Sequence, residues 1–195
     1  MTYAHLARAV RAHLGQDHRY AHVVRVARAA DLLAQRHGVD ARSARAAGML
    51  HDLARLYDAH DLIRECERRE ITIDAFARAH PIVLHAPLGA ALAHEMFGIG
   101  DPRILSAIAK HTLADRDMFD LDCVVYLADG LEPGRDFEAR AELWDLALRD
   151  LRAATKATIE NSVDYLRRGG NDVAPQTLAA LGAQCNTKGG TPSLI

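Results

Sequence analysis

Apolar residues recur along this chain at intervals of three and four, the period of a helix, and no stretch alternates as a half-buried strand would. Residues 3–14 form a short amphipathic stretch ended by Gly15. Asp17 can cap a second helix running to about Arg36 before Gly38, its inner stripe being Val23, Val26, Ala27, Ala30 and Leu33. Asp40 caps a third helix that runs through Leu53 and ends in His51-Asp52, and Asp58 caps a fourth near 59–69. Residues 71–80 read as a connector with a turn or two, and Pro81 and Pro87 bracket an apolar segment. Residues 89–97 continue as a helix to Gly98. Asp101-Pro102 places a cap and a first-turn proline in register for a helix that ends at Lys110-His111-Thr112. A helix over about 120–131 ends near Asp129, a long one over about 138–168 follows, and Gly169-Gly170 break it. Residues 171–182 can add one more short helix.

These elements make one all-α domain over 1–182, a helical bundle with no internal repeat and no clear linker. Residues 183–195, with Gly, Thr, Pro and Ser, are expected to be a mobile tail. Composition agrees: 49% of the 195 residues are hydrophobic but only 5% aromatic, and the Ala and Leu that dominate favour helices. Lys and Arg number 24 against 26 Asp and Glu, a net charge of -2, so no electrostatic footprint for nucleic acid or an anionic membrane follows. No run reaches the ~18 apolar residues that span a bilayer. Cys66, Cys123 and Cys185 are far apart and odd in number, which fits a reducing cytoplasm better than a disulfide framework. No signal peptide is visible at the N-terminus.

Eleven histidines are many for this length, and several stand where polar residues are out of place. His22 neighbours the apolar stripe of its helix. His51-Asp52 and His111 close Ala-rich helices, His85 opens one, and Asp129 follows a nearly unbroken apolar run. A buried carboxylate needs a metal or an arginine as partner. Taken alone, His85 reads as a satisfied core histidine or as a ligand. The pair His18 and His22, four residues apart, supplies only two ligands. Four imidazoles and two carboxylates suit two transition-metal ions, with iron, manganese, cobalt or zinc preferred over calcium or magnesium. Two such ions can clamp a phosphate and activate water near neutral pH. Arg19 and Arg135 are candidate phosphate ligands or else solvated surface arginines, and Lys110 and Thr112 beside His111 are further substrate candidates. Glu132 can orient a ligand or shape its turn.

The order His22, His51-Asp52, His85, His111, Asp129 resembles the HD-domain metal-dependent phosphohydrolase superfamily. More closely, Arg19-Tyr20-Ala21-His22, Gly48-Met49-Leu50-His51-Asp52, Leu84-His85-Ala86-Pro87-Leu88-Gly89 and Ala128-Asp129-Gly130-Leu131-Glu132-Pro133-Gly134-Arg135 are similar to the YqeK family of symmetrical diadenosine tetraphosphatases. The resemblance covers about 17–168. It implies a helical hydrolase with two metal ions, iron foremost. Its metal-bound hydroxide would cleave diadenosine tetraphosphate, a dinucleoside polyphosphate, into two ADP. By position the ligands are His22, His51, Asp52, His85, His111 and Asp129, with Asp52 bridging; His51, Asp52 and Arg135 carry the catalysis. Two positions depart from the family. Val23 follows His22 in place of a small hydroxyl residue, and Leu113-Ala114 stand where a glycine is common. Both bear on substrate preference rather than metal binding.

Two other readings compete: a nucleotidase or phosphodiesterase acting on a different nucleotide, and a metal-retaining module without turnover, against which the complete ligand set argues. Ala/Leu-rich helices could also pair two chains into a homodimer.

Overall fold

The computed structural model describes residues 2–186 and is built of helices throughout. In chain order they are α1 (Tyr3–Leu14), α2 (Asp17–His37), α3 (Ala41–Leu50), α4 (Ala59–Arg68), α5 (Ala75–Ala79), a 3-10 turn (Pro81–Leu84), α6 (His85–Phe97), α7 (Pro102–Lys110), α8 (Asp120–Leu131), α9 (Arg140–Ala147), α10 (Leu151–Arg168) and α11 (Pro175–Asn186). No helix among the described residues is long and apolar enough to cross a membrane.

The helix starts follow the aspartates. Asp40, Asp58, Asp74, Asp101 and Asp150 each accept hydrogen bonds from backbone N–H groups of the first turn they cap, donors that would otherwise lack partners. Asp17 is an exception: it is the first residue of α2, and Gln16 occupies the cap. Gly15, Gly38 and Gly98 end their helices in the left-handed conformation.

Three boundaries differ from the periodicity. The third helix stops at Leu50, and residues 51–56 form irregular turns that set His51 and Asp52 on its end rather than its side. Helix α6 begins at His85, because Pro87 in its first turn needs no hydrogen-bond partner. The long helix over 138–168 is two, α9 and α10. Asp150 folds back as a turn on Leu146 and caps α10 through Ala153 N–H. Helix α11 lies where a short helix is expected and runs on to Asn186; most of the expected tail, 187–195, lies outside the described residues.

Helix α2 lies against α3 and α8, α7 packs on α6, α8 and α3, and α10 covers α8 while holding α9 and α11. The core between them is filled by Val26, Leu33, Leu50, Leu88, Ile108, Leu127 and Ile159, all solvent-excluded. Two glycines allow the packing to close around residue 51. A Cβ on Gly48 would stand 2.9 Å from the Ala27 Cα, so α2 and α3 touch backbone to backbone there. A Cβ on Gly89 would stand 3.1 Å from the His51 carbonyl oxygen. The chain thus presses three helices against the turn that carries His51-Asp52. Cys66 and Cys123 are buried free thiols within this core.

Candidate metal centre and active site

The ends of α3 and α7, the start of α6, and the flanks of α2 and α8 meet at one point. His22 Nε2 lies 3.1 Å from Asp129 Oδ1 and 3.7 Å from Asp52 Oδ2. His51 Nε2 lies 3.7 Å from both Asp52 Oδ1 and Asp129 Oδ1. His85 Nε2 lies 3.6 Å from Asp52 Oδ1 and 3.1 Å from His111 Nε2. The two Asp52 oxygens therefore divide the cluster: Oδ1 faces His51 and His85, and Oδ2 faces His22. Within this cluster, two three-residue groups have donor atoms close enough to share an ion, His22-His51-Asp129 and His51-Asp52-His111.

The backbone fixes which ring nitrogen faces the centre. His51, His85 and His111 each place Nδ1 on the carbonyl three residues back, that of Gly48, Ile82 and Ile108. A carbonyl can only accept, so each Nδ1 carries a proton and each ring turns its Nε2 inward. His51 and His111 follow the last residues of α3 and α7, where carbonyls lack a continuing helix, and His85 follows the 3-10 turn, its ring and its own N–H sharing the Ile82 carbonyl. His22 reaches the same orientation through a carboxylate, Nδ1 lying 3.1 Å from Glu132 Oε1.

This arrangement fits a cation. His51 Nε2 is buried without a hydrogen-bond partner. The Nε2 atoms of His85 and His111 point lone pair to lone pair at 3.1 Å, and the Thr112 hydroxyl, within 3.2 Å of both, can donate to only one. A proton between them is disfavoured, because burial and then the neighbouring His51 and His85 push His111 down to about 3. Burial also lowers His85. Against the opposing cost of burial, His51 and His111 hold the Asp52 carboxyl below its usual range, while His22 and His51 hold Asp129 well below. His85 and His111 thus offer neutral imidazoles, and Asp52 and Asp129 ionised carboxylates, the form in which both bind metal. For His22 burial favours the neutral ring, but the hydrogen bonds to Asp129 and Glu132 outweigh it and raise its pKa.

Around the cluster lies a cleft of about 370 Å³ lined by Arg19, Asp52, Arg55, His85, His111, Thr112, Asp129 and Arg135. Arg19 stands 3.5 Å from Asp52 Oδ2. Arg135 donates to the Asp129 carbonyl and carboxylate at 2.9 and 2.6 Å. Lys110 corrects the sequence expectation. Its ammonium is turned away from this cleft onto the Asp117 carbonyl and the buried Asp122 carboxylate.

Two functional candidates escape a sequence reading. Arg25 clamps Glu132 at 2.5 and 3.0 Å, and Arg55 lines the cleft with no ion pair among the described residues. Arg25 lies three residues after His22 on α2, the one available signal; Arg55 sits in the irregular turns after Asp52, where periodicity says nothing.

The HD domain family model matches residues 19–134, a span that holds every residue of the cluster. Over 133 residues the chain is 32% identical to a protein named symmetrical bis(5'-nucleosyl)-tetraphosphatase from Halalkalibacterium halodurans, covering 68% of this chain and 71% of that one. A protein of the same name from Bacillus subtilis is 34% identical over 67% of this chain and 70% of its own length. A crystal structure titled as a predicted HD superfamily hydrolase involved in NAD metabolism, from Clostridium acetobutylicum, superposes with a TM-score of 0.91. That match is at 29% identity over 96% of this chain and 99% of that one. The chain belongs to the HD domain family and, within it, to the symmetrical bis(5'-nucleosyl)-tetraphosphatases.

Proposed function

We propose that this chain hydrolyses diadenosine tetraphosphate at its central phosphoanhydride, releasing two ADP, with His22, His51, Asp52, His85, His111 and Asp129 holding two transition-metal ions. The observation that carries the reading is the convergence of four inward Nε2 atoms and two carboxylates in a cleft flanked by Arg19, Arg55 and Arg135. Bound there, two ions supply water activation near pH ~7 and charge compensation for phosphate oxygens. The nitrogen-rich donor set suits iron, and equally manganese, cobalt or zinc.

The chain's own groups do the rest. Asp52, with Oδ2 toward His22 and Oδ1 toward His51 and His85, would serve as a ligand to both ions. Glu132 keeps the His22 ring in the tautomer that turns Nε2 inward. Arg19 and Arg55 offer guanidinium groups that match phosphate oxygens. Arg135, paired with Asp129, is placed to exchange part of that pairing for phosphate when substrate enters. Thr112 aligns the rings of His85 and His111. We place the reaction in the cytoplasm, where Cys66 and Cys123 stay reduced.

The test combines elemental analysis of metal-replete protein with hydrolysis of diadenosine tetraphosphate in oxygen-18 water. About two metals per chain are expected, and one label on one of the two ADP molecules formed per turnover. Formation of ATP plus AMP would refute central cleavage.

A further inference from the structure

We infer that a groove opening from the metal-centre cleft, between the segment after Arg135 and one face of α10, is the subsite for the substrate's purine nucleoside. This deepens the nucleotide-hydrolase reading and rests on it. The groove is the larger of the two spaces, about 780 Å³ against 370 Å³, and the two share Gly130, Arg135, Thr158 and Ser162. A phosphate chain lying in the small cleft has a nucleoside to place, and this opening is continuous with it.

The walls are built for a flat, amphipathic ring. On one side stand Phe137 and Ala139; on the other, Thr158, Asn161, Ser162 and Tyr165 share one face of α10 at helical spacing. Tyr165 is 68% and Phe137 36% exposed, two aromatic side chains with faces unspent on the core. Aromatic faces accept nucleobases regardless of sequence, and each stacked base is held by about 1–3 kcal/mol, roughly 5- to 150-fold. Asn161, Ser162 and Glu142 add donors and acceptors for the ribose hydroxyls and the base edges. Arg135 sits at the junction, where a phosphate leaving the metal centre meets the nucleoside it belongs to. A protein or lipid partner has no reason to share its pocket with the phosphate cleft; a nucleotide has.

The experiment is calorimetric titration of the metal-loaded protein with ADP and with inorganic pyrophosphate, which has the phosphates and no nucleoside. Wild type is expected to bind ADP about tenfold or more tighter than pyrophosphate. Phe137→Ala/Tyr165→Ala should abolish that gap while pyrophosphate affinity stays within about twofold. Tyr165→Phe, which keeps the ring, should retain the gap. No gap in wild type, a gap surviving in the double variant, or equal loss of both ligands would each overturn the subsite. The outcome is separable from the hydrolase reading: an intact, groove-dependent gap with no turnover of diadenosine tetraphosphate sinks that reading alone.

Discussion

Glu132 holds His22 from behind: its Oε1 lies 3.1 Å from His22 Nδ1, while Arg25 and the Gly134 amide grip the same carboxylate. Glu132 is only 1% exposed, and despite that burial the Arg25 guanidinium and the Gly134 N–H bring its carboxyl down to about 2. A carboxylate behind a metal-facing histidine fixes the ring and raises its basicity. Glu132→Gln should therefore weaken metal binding by about 10- to 100-fold, with the helical circular dichroism unchanged. Competition against a chelator measures it, and wild-type retention would remove Glu132 from the site.

Gly48 makes the opposite kind of contribution, by being absent. Its missing Cβ is the space into which the Ala27 backbone fits. Gly48→Ala forces α2 and α3 apart next to His51 and is expected to destabilise the fold by about 1–3 kcal/mol. A urea midpoint equal to wild type would show that the helices part freely.

Ala114 occupies a left-handed conformation, φ 58°, just past His111. An L-residue there carries strain of roughly 1–2 kcal/mol. Its methyl is fully buried, so removal also costs packing. The strain is the larger quantity, and Ala114→Gly should raise the unfolding midpoint slightly; a clear fall would mean that the methyl contact wins.

Stability of the chelated, metal-free protein should fall as pH drops below about 6.5. The folded chain keeps His111 neutral down to about 3, against an ordinary 6.5, and His85 is shifted the same way. Between those limits the unfolded chain binds more protons, so acid favours unfolding, by up to about 1.4 kcal/mol per pH unit for each proton. Asp52, Asp129 and Glu132, all depressed, add to the loss once pH falls into their ordinary range. His22 has the opposite sign, because its raised pKa stabilises below 6.5 and that contribution fades as pH rises. Two lowered histidines outweigh one raised. Urea unfolding between pH 7 and 5 checks the slope, and His111→Gln should flatten it.

These expectations differ in how far they could be read from sequence. The aspartate caps and the His51-Asp52 helix end are local, and local chemistry is what a sequence shows. The break between α9 and α10 was hidden because the apolar pattern runs through it; Asp150 was the only sign. The Arg25–Glu132 clamp joins residues 107 positions apart, and no periodicity reports such a pairing. Lys110 was misjudged because adjacency to His111 in sequence does not set direction on a helix: successive residues point about 100° apart. Its ammonium follows the buried Asp122 instead.

Arg55 separates substrate binding from metal binding most cleanly. Arg135 is tied to Asp129, a ligand candidate, and Arg19 stands 3.5 Å from Asp52, so changing either disturbs the cluster as well as the cleft. Arg55 lines the same cleft with no carboxylate partner among the described residues. A guanidinium left uncompensated beside a candidate cation site is costly unless an anion arrives to meet it. A phosphate does so, and the charge-assisted contact contributes about 1.5–3 kcal/mol. Arg55→Ala should then lower kcat/KM for diadenosine tetraphosphate by roughly 10- to 150-fold, with metal content at the wild-type level. Arg55→Lys keeps the charge but loses the fork, and should recover only part of the loss. If Arg55→Ala instead sheds metal, the residue supports the cluster and the phosphate contact falls to Arg19 and Arg135.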